Sequence, residues 1–307
     1  MDSQNSTEVV HDFSPRFLIY KDGRVERLRK DVIAPASHDP STGVHSKDVK
    51  ISESASARVY LPDNISENTK LPVFIYYHGG AFCQFSAFNT RYHKYLNSIV
   101  SEANVIAVSV NYRLAPEYPI PACYEDTWDV TKWVLSHSAG TGPDPWIAQW
   151  GDMSRVFLAG DSAGGNMSHN MLAQAAREGL LNQKTKIEGV ILVHPFFSQG
   201  QLDLDEIVDF LSERKMGVMD PRFNPIAYPE QMKKEVACDR VMVCVDKEDE
   251  LREVGIAYYE ALKGSGYEGK VELLETCGGG HVFHLKNQEH EKSCEFLKLM
   301  ASFINQS

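Results

Sequence analysis

Ser162 lies in Gly160-Asp161-Ser162-Ala163-Gly164, a G-x-S-x-G pattern, and a serine hydroxyl displayed in this way can attack a carbonyl carbon. The pattern alone recurs by chance in glycine-rich loops, so its surroundings decide. Here the β-rich run SRVFL (154–158) leads into it, and a helix-like GNMSHNMLAQAA follows, reaching about Arg177. So sharp a strand-to-helix turn forces strained dihedrals on the serine and needs neighbours without bulk, which Gly160, Ala163 and Gly164 supply.

A second element carries matching chemistry. His78-Gly79-Gly80-Ala81-Phe82 follows the apolar run LPVFIYY (71–77), setting flexible backbone N–H groups at a strand's carboxyl end. The amides of Gly79, Gly80 and Ala163 are the expected oxyanion donors, each contributing about 3 kcal/mol in the transition state. An ordinary glycine turn explains neither that position nor the pairing with Ser162.

The proton acceptor must be a histidine, and the order serine, acid, histidine places it late in the chain. His281, His284 and His290 compete. His281 is preferred because it ends the loop Cys277-Gly278-Gly279-Gly280 after the strand-like KVELLE; His284 lies one turn further and His290 reads as part of the last helix. His93, His137 and His169 read as structural. The acid falls in the loop after RVMVCV, among Asp246, Glu248, Asp249 and Glu250. Spacing to the next helix favours Asp249, with Asp246 the alternative, while Glu248 and Glu250 fit a solvated helix start.

These residues require a scaffold, and the pattern supplies one. Two short strands flank Asp22-Gly23 in FLIYKDGRVERL, a hairpin signal. Strand-like ARVYLP (57–62) and LPVFIYYH (71–78) precede a helix over 90–103 and the strand-bearing NVIAVSVNYRL (104–114). A helix at 124–138, the strand into Ser162 and its helix come next, then IEGVILVHPF (187–196), RVMVCVDKED (240–249) with a helix at 253–265, and KVELLETCGGGH (270–281) with a closing helix from about 289 to 304. This alternation predicts an α/β fold with a mainly parallel sheet and helices on both faces. One domain over 1–307 is expected, with an N-terminal flap at 1–40 and a helical cap insertion at 197–237 over the sheet's carboxyl edge.

Composition narrows the partners. A formal net charge of −11 argues against nucleic acid and anionic membranes, and no apolar run approaches a membrane span or a signal peptide. The six cysteines form no C-x-x-C pair, which fits reduced thiols in a cytoplasmic protein. Three N-x-S/T triplets, at Asn5, Asn64 and Asn166, are set aside because they matter only after secretion. No metal or organic cofactor is expected, and oligomeric state is not legible.

At this point the motifs resemble a family. HGGAF, NYRLAPEYPIPACYED (111–126), GDSAGGN and GGGH look like the hormone-sensitive-lipase group of esterases, within the α/β-hydrolase fold. The opening FLIYKDGRVERL, TGVHSKDVKI (42–51), the PWI at Trp146 and CDRVMVCVDKEDELREVGIAYYEAL (238–262) bring it nearer to plant carboxylesterases. The resemblance implies a Ser162, Asp249 and His281 triad, oxyanion glycines at Gly79 and Gly80, and a small-molecule ester substrate. It reads HGGA where the group has HGGG, which leaves the Ala81 amide unchanged. It departs in 197–237, where FLSERKMGVMDPRFNP replaces the family's tryptophan-containing helix. Dehydratase-like and cyclase-like relatives imply elimination or ring closure as the alternative, and a hormone-receptor role is disfavoured by His281 and the short opening segment.

Overall fold

The computed structural model describes residues 6–63, 65–66, 69–137, 140–200 and 203–306. The chain opens with a small antiparallel sheet of β1 (Val9–Phe13), β2 (Phe17–Tyr20) and β3 (Val25–Arg27). The β2–β3 turn uses Gly23 at φ 82°, a left-handed conformation that costs glycine nothing. β4 (His38–Asp39) and β5 (Val44–Lys50) then join the main sheet, so the flap ends before residue 38 rather than at 40. Sequence patterning missed β5 because VHSKDVK is mostly polar, as suits a strand near a sheet's edge.

Along the chain follow β6 (Ser56–Pro62), β7 (Leu71–Tyr77), α1 (Thr90–Ala103), β8 (Ile106–Asn111), α2 (Ala122–Leu135), α3 (Pro145–Trp150), β9 (Gly151–Asp161), α4 (Ala163–Arg177) and β10 (Ile187–Val193). The insertion contributes α5 (Asp203–Leu211) and α6 (Pro229–Glu235), and no strand among the described residues. β11 (Arg240–Asp246), α7 (Arg252–Gly264), β12 (Lys270–Thr276), α8 (Phe283–Lys286) and α9 (Glu291–Asn305) complete the fold.

The main sheet has nine strands in the order β12-β11-β10-β9-β7-β8-β6-β5-β4. From β12 to β8 neighbours run parallel, and the β6, β5 and β4 edge is antiparallel. Every residue of β7 is buried, because helices cover both faces. Val73, Ile75 and Tyr77 pack with Trp128 of α2 and Met167 of α4, whereas Phe74 and Tyr76 pack with Ile99 of α1 and Met300 of α9. Each such side chain contributes roughly 1.5–3 kcal/mol of burial, which holds the strand ends that carry the site.

The flap and the insertion meet over the sheet's carboxyl ends, with the rings of Phe13 and Phe210 4.7 Å apart. Arg27 fastens the flap below: its Nε donates to the Cys83 carbonyl at 2.8 Å and its guanidinium pairs with Glu117 at 2.6 Å. No described helix is long and apolar enough to cross a membrane. Asn166 is buried in α4, where its Oδ1 accepts from Tyr124 at 2.7 Å. Asn5 and Asn64 lie outside the described residues.

Candidate active site

Ser162 stands between β9 and α4 at φ 55° and ψ −116°, a conformation that costs an L-residue about 1–3 kcal/mol. Two bonds hold it there: its N–H donates to the Val193 carbonyl at 2.9 Å, and its own carbonyl accepts from Phe196 at 3.0 Å. Adjacent glycines let the chains pass. A Cβ on Gly164 would sit 1.9 Å from the Tyr77 carbonyl oxygen, backbone that has no room to yield. Gly164→Ala is therefore expected to destabilise by about 3 kcal/mol, read as a lower urea midpoint; an unchanged midpoint would rule out this packing.

On the oxyanion side the structure corrects the sequence reading. The Gly79 N–H donates to Tyr92 Oη at 2.9 Å and to Asp161 Oδ1 at 3.1 Å, and a Cβ there would stand 2.3 Å from Asp161 Oδ2. Gly79 is thus a glycine so that the chain can pack on Asp161, and its amide is occupied. Gly80 and Ala81 line the cavity with Ser162, at φ 112° and 54°. Among the described residues no hydrogen bond is made by their N–H groups or by that of Ala163, which leaves Gly80, Ala81 and Ala163 as the free set. Asp161 is the hidden cause. Burial raises its pKa, while hydrogen bonds from Tyr76 at 2.8 Å and Tyr92 at 3.0 Å favour the charged form.

His281 Nδ1 lies 2.9 Å from Asp249 Oδ2 and 3.0 Å from Oδ1. Asp249 also accepts from the Leu251 N–H at 2.9 Å. Burial opposes its ionisation, yet hydrogen bonds from His194 and His281 hold the carboxyl well below the usual carboxylate range. Asp246, the alternative acid, points elsewhere. It accepts from Thr276 Oγ1 and the Gly280 N–H, both at 2.8 Å, and these bonds pull it down to about 2 against its burial. Its place is under the loop that presents His281.

The competing histidines also separate. His284 is buried against Tyr95, and burial pushes its pKa well below the ordinary value. His290 caps α9, accepting from the Lys292 N–H at 3.2 Å. Only His281 of the three lines the cavity that holds Ser162. Of those read as structural, His137 Nε2 accepts from the Asp144 N–H at 2.9 Å and His169 Nδ1 sits 3.0 Å from Tyr258 Oη.

One residue was missed. His194, fully buried after β10, places Nδ1 2.6 Å from Asp249 Oδ2. β10 and β11 are parallel neighbours, so their carboxyl ends set His194 beside the Asp249 loop. The Val282 N–H also lies 3.2 Å from the same nitrogen, which cannot donate and accept at once. The shorter contact to a charged acceptor takes the proton. Ligand-type atoms of His194, Asp249 and His281 lie within 4.8 Å of one another, a spacing a divalent cation accepts, but N–H donors facing one carboxylate account for it with protons alone.

The cavity, about 130 Å³, is lined by Ser162, His281, Gly80, Ala81, Tyr92 and Leu204 of α5. Such a serine turn above a parallel sheet, lining one cavity with an aspartate-held imidazole, is the arrangement of the α/β class of hydrolases. The chain belongs to the alpha/beta hydrolase fold family, whose pattern matches residues 74–285. Within it the chain falls among plant carboxylesterases. It is 44% identical over 313 residues to "Probable carboxylesterase 7" of Arabidopsis thaliana, covering 97% of this chain and 98% of that protein. It is 40% identical over 319 residues to the 2-hydroxyisoflavanone dehydratase of Glycyrrhiza echinata, covering 97% of each. The solved hyperthermophilic esterase from Pyrobaculum calidifontis superposes with a TM-score of 0.68 over 85% of each chain, at 24% identity, a likeness of fold alone.

Proposed function

We propose that the protein is a carboxylesterase that cleaves small-molecule carboxylic esters through Ser162, His281 and Asp249. The observation that carries this is the Asp249–His281 pair at 2.9 Å facing the cavity in which Ser162 is held at its strained turn. Ionised Asp249 accepts a hydrogen bond from Nδ1–H of His281, which fixes the tautomer that leaves Nε2 as a lone pair and thus a base. Nε2 accepts the Ser162 proton as Oγ attacks the ester carbonyl, and the oxyanion is met by the amides of Gly80, Ala81 and Ala163. Collapse expels the alcohol with the proton from His281, leaving an acyl-serine. Water, deprotonated by the same Nε2, then releases the acid and restores the enzyme.

The expected result is hydrolysis of 4-nitrophenyl esters between acetyl and octanoyl, together with one fluorophosphonate adduct per chain on the peptide bearing Ser162, found by mass spectrometry. Turnover with the adduct on another residue, or neither turnover nor adduct, would sink this reading. The dehydratase relative at 40% identity supports elimination on the same scaffold as a second reading. A product lacking water while both halves of the substrate stay joined would favour it.

A further inference from the structure

Four cations from four separate segments converge on the cavity of Ser162: Arg16 in the β1–β2 turn, Arg29 after β3, Arg91 in the first turn of α1 and Lys286 at the end of α8. None of the four side chains makes an ion pair or hydrogen bond among the described residues. Elsewhere the chain behaves differently. Apart from Arg214, every arginine outside this cavity is paired with a carboxylate. In a chain of 42 acidic and 31 basic residues, three of the four arginines without a carboxylate partner thus gather at one opening, with Lys286 beside them.

The acidic groups nearby do not cancel them. Glu250 is the one exposed carboxylate lining the cavity, and Asp161 lies buried beneath its floor, held by two tyrosines. Asp31, next along the flap, accepts from Asn89 at 2.7 Å. The cations are also held in place: Gln84 Nε2 donates to the Arg16 carbonyl at 3.2 Å, and Arg27 ties the strand before Arg29 to the loop after Gly80. Like charges brought together repel, and a cleft with low-dielectric walls focuses their field. An anion seated among them relieves the repulsion, and guanidinium groups suit a carboxylate through paired N–H donors.

From this we infer that the substrate carries a carboxylate besides its scissile ester, as in a hemiester of a dicarboxylic acid, and that Arg16, Arg29, Arg91 and Lys286 select it. The inference rests on the esterase reading for its chemistry but not for its binding. The net charge of −11 opposes such a substrate at long range. Selection is therefore a short-range effect that salt weakens.

The test compares kcat/KM for 4-nitrophenyl hydrogen glutarate and its neutral isostere, 4-nitrophenyl 5-methylhexanoate, in wild type, Arg29→Gln/Arg91→Gln and Arg29→Lys/Arg91→Lys. The ratio of charged to neutral ester is expected to exceed tenfold in wild type, to fall about tenfold in the Gln variant, and to stay near wild type in the Lys variant. Turnover of both esters with a ratio near one, or a ratio indifferent to the Gln substitutions, would overturn the inference and leave the esterase reading intact. Calorimetry with N-butyl glutaramic acid and neutral N-butyl pentanamide, which have no scissile ester, separates the two claims. Preferential binding of the acid that the Gln variant loses, in a protein without ester turnover, would uphold the anion site and reject the esterase. Equal binding of the two amides would reject the anion site.

Discussion

Ser162→Ala is expected to lower kcat on 4-nitrophenyl butyrate by about 10⁶-fold, while the urea midpoint stays at or slightly above that of wild type. The first number follows from the role of the hydroxyl: without Oγ no acyl-enzyme forms, and only the oxyanion donors and substrate positioning remain. The second follows from local geometry. Alanine has the same backbone reach as serine, and the bonds that hold the strained turn, from Ser162 N–H to Val193 and from Phe196 N–H to Ser162, are main-chain bonds that survive. A variant that keeps kcat within tenfold of wild type would mean that another group attacks.

Asp249→Asn should lower kcat by about 10⁴-fold with little change in KM, because it changes a tautomer rather than a contact. Asp249 receives three N–H donors, from His281, His194 and Leu251. An amide offers one oxygen and an NH₂, so one imidazole must turn from donor to acceptor at Nδ1. If His281 turns, its proton moves to Nε2 and the base is lost. If His194 turns, its proton moves to an Nε2 that has no partner in its buried site, at the penalty of an unmet donor. Whichever ring turns, the carboxylate charge that stabilises the imidazolium is gone, so the base is weakened. Steady-state kinetics beside a urea midpoint check this: a loss of activity below tenfold would show that Asp249 does not set the tautomer.

Acid stability follows from the same residue. Asp249 is depressed in the folded state, so its contribution is present above the unfolded carboxylate pKa of roughly 3.9 and is lost as pH falls through the lower folded value.

Much of this architecture is legible in the order of the residues. The turn at Ser162 can be read because a short β-rich run, SRVFLA, leads into it and a segment with helical spacing follows. The parallel sheet can be read because β7, β10 and β11 are apolar almost throughout, as strands covered on both faces must be. Polar β5 carries no such signal. At the site, what stays hidden depends on neighbours distant along the chain. Nothing near Gly79 says that its amide will be taken by Asp161, which lies more than eighty residues on, at the end of β9. Spacing could not separate Asp246 from Asp249 decisively, since two carboxylates three residues apart differ only in what they face. His194 reads as the tail of a strand, and only the adjacency of β10 and β11 gives it a partner.

The meeting of Phe13 with Phe210 has a consequence for the order in which the molecule is made. A ribosome releases the flap first, yet Arg27 must wait for Cys83 and Glu117, and Phe13 must wait until α5 has emerged. A three-stranded ribbon without a surface to lie on is marginal in water. The flap's apolar face therefore stays exposed through most of synthesis, and the roof over Ser162 closes only late. A nascent chain halted before residue 210 would hold its serine turn beneath an unclosed roof, so the selectivity of the cavity belongs to the finished polypeptide alone.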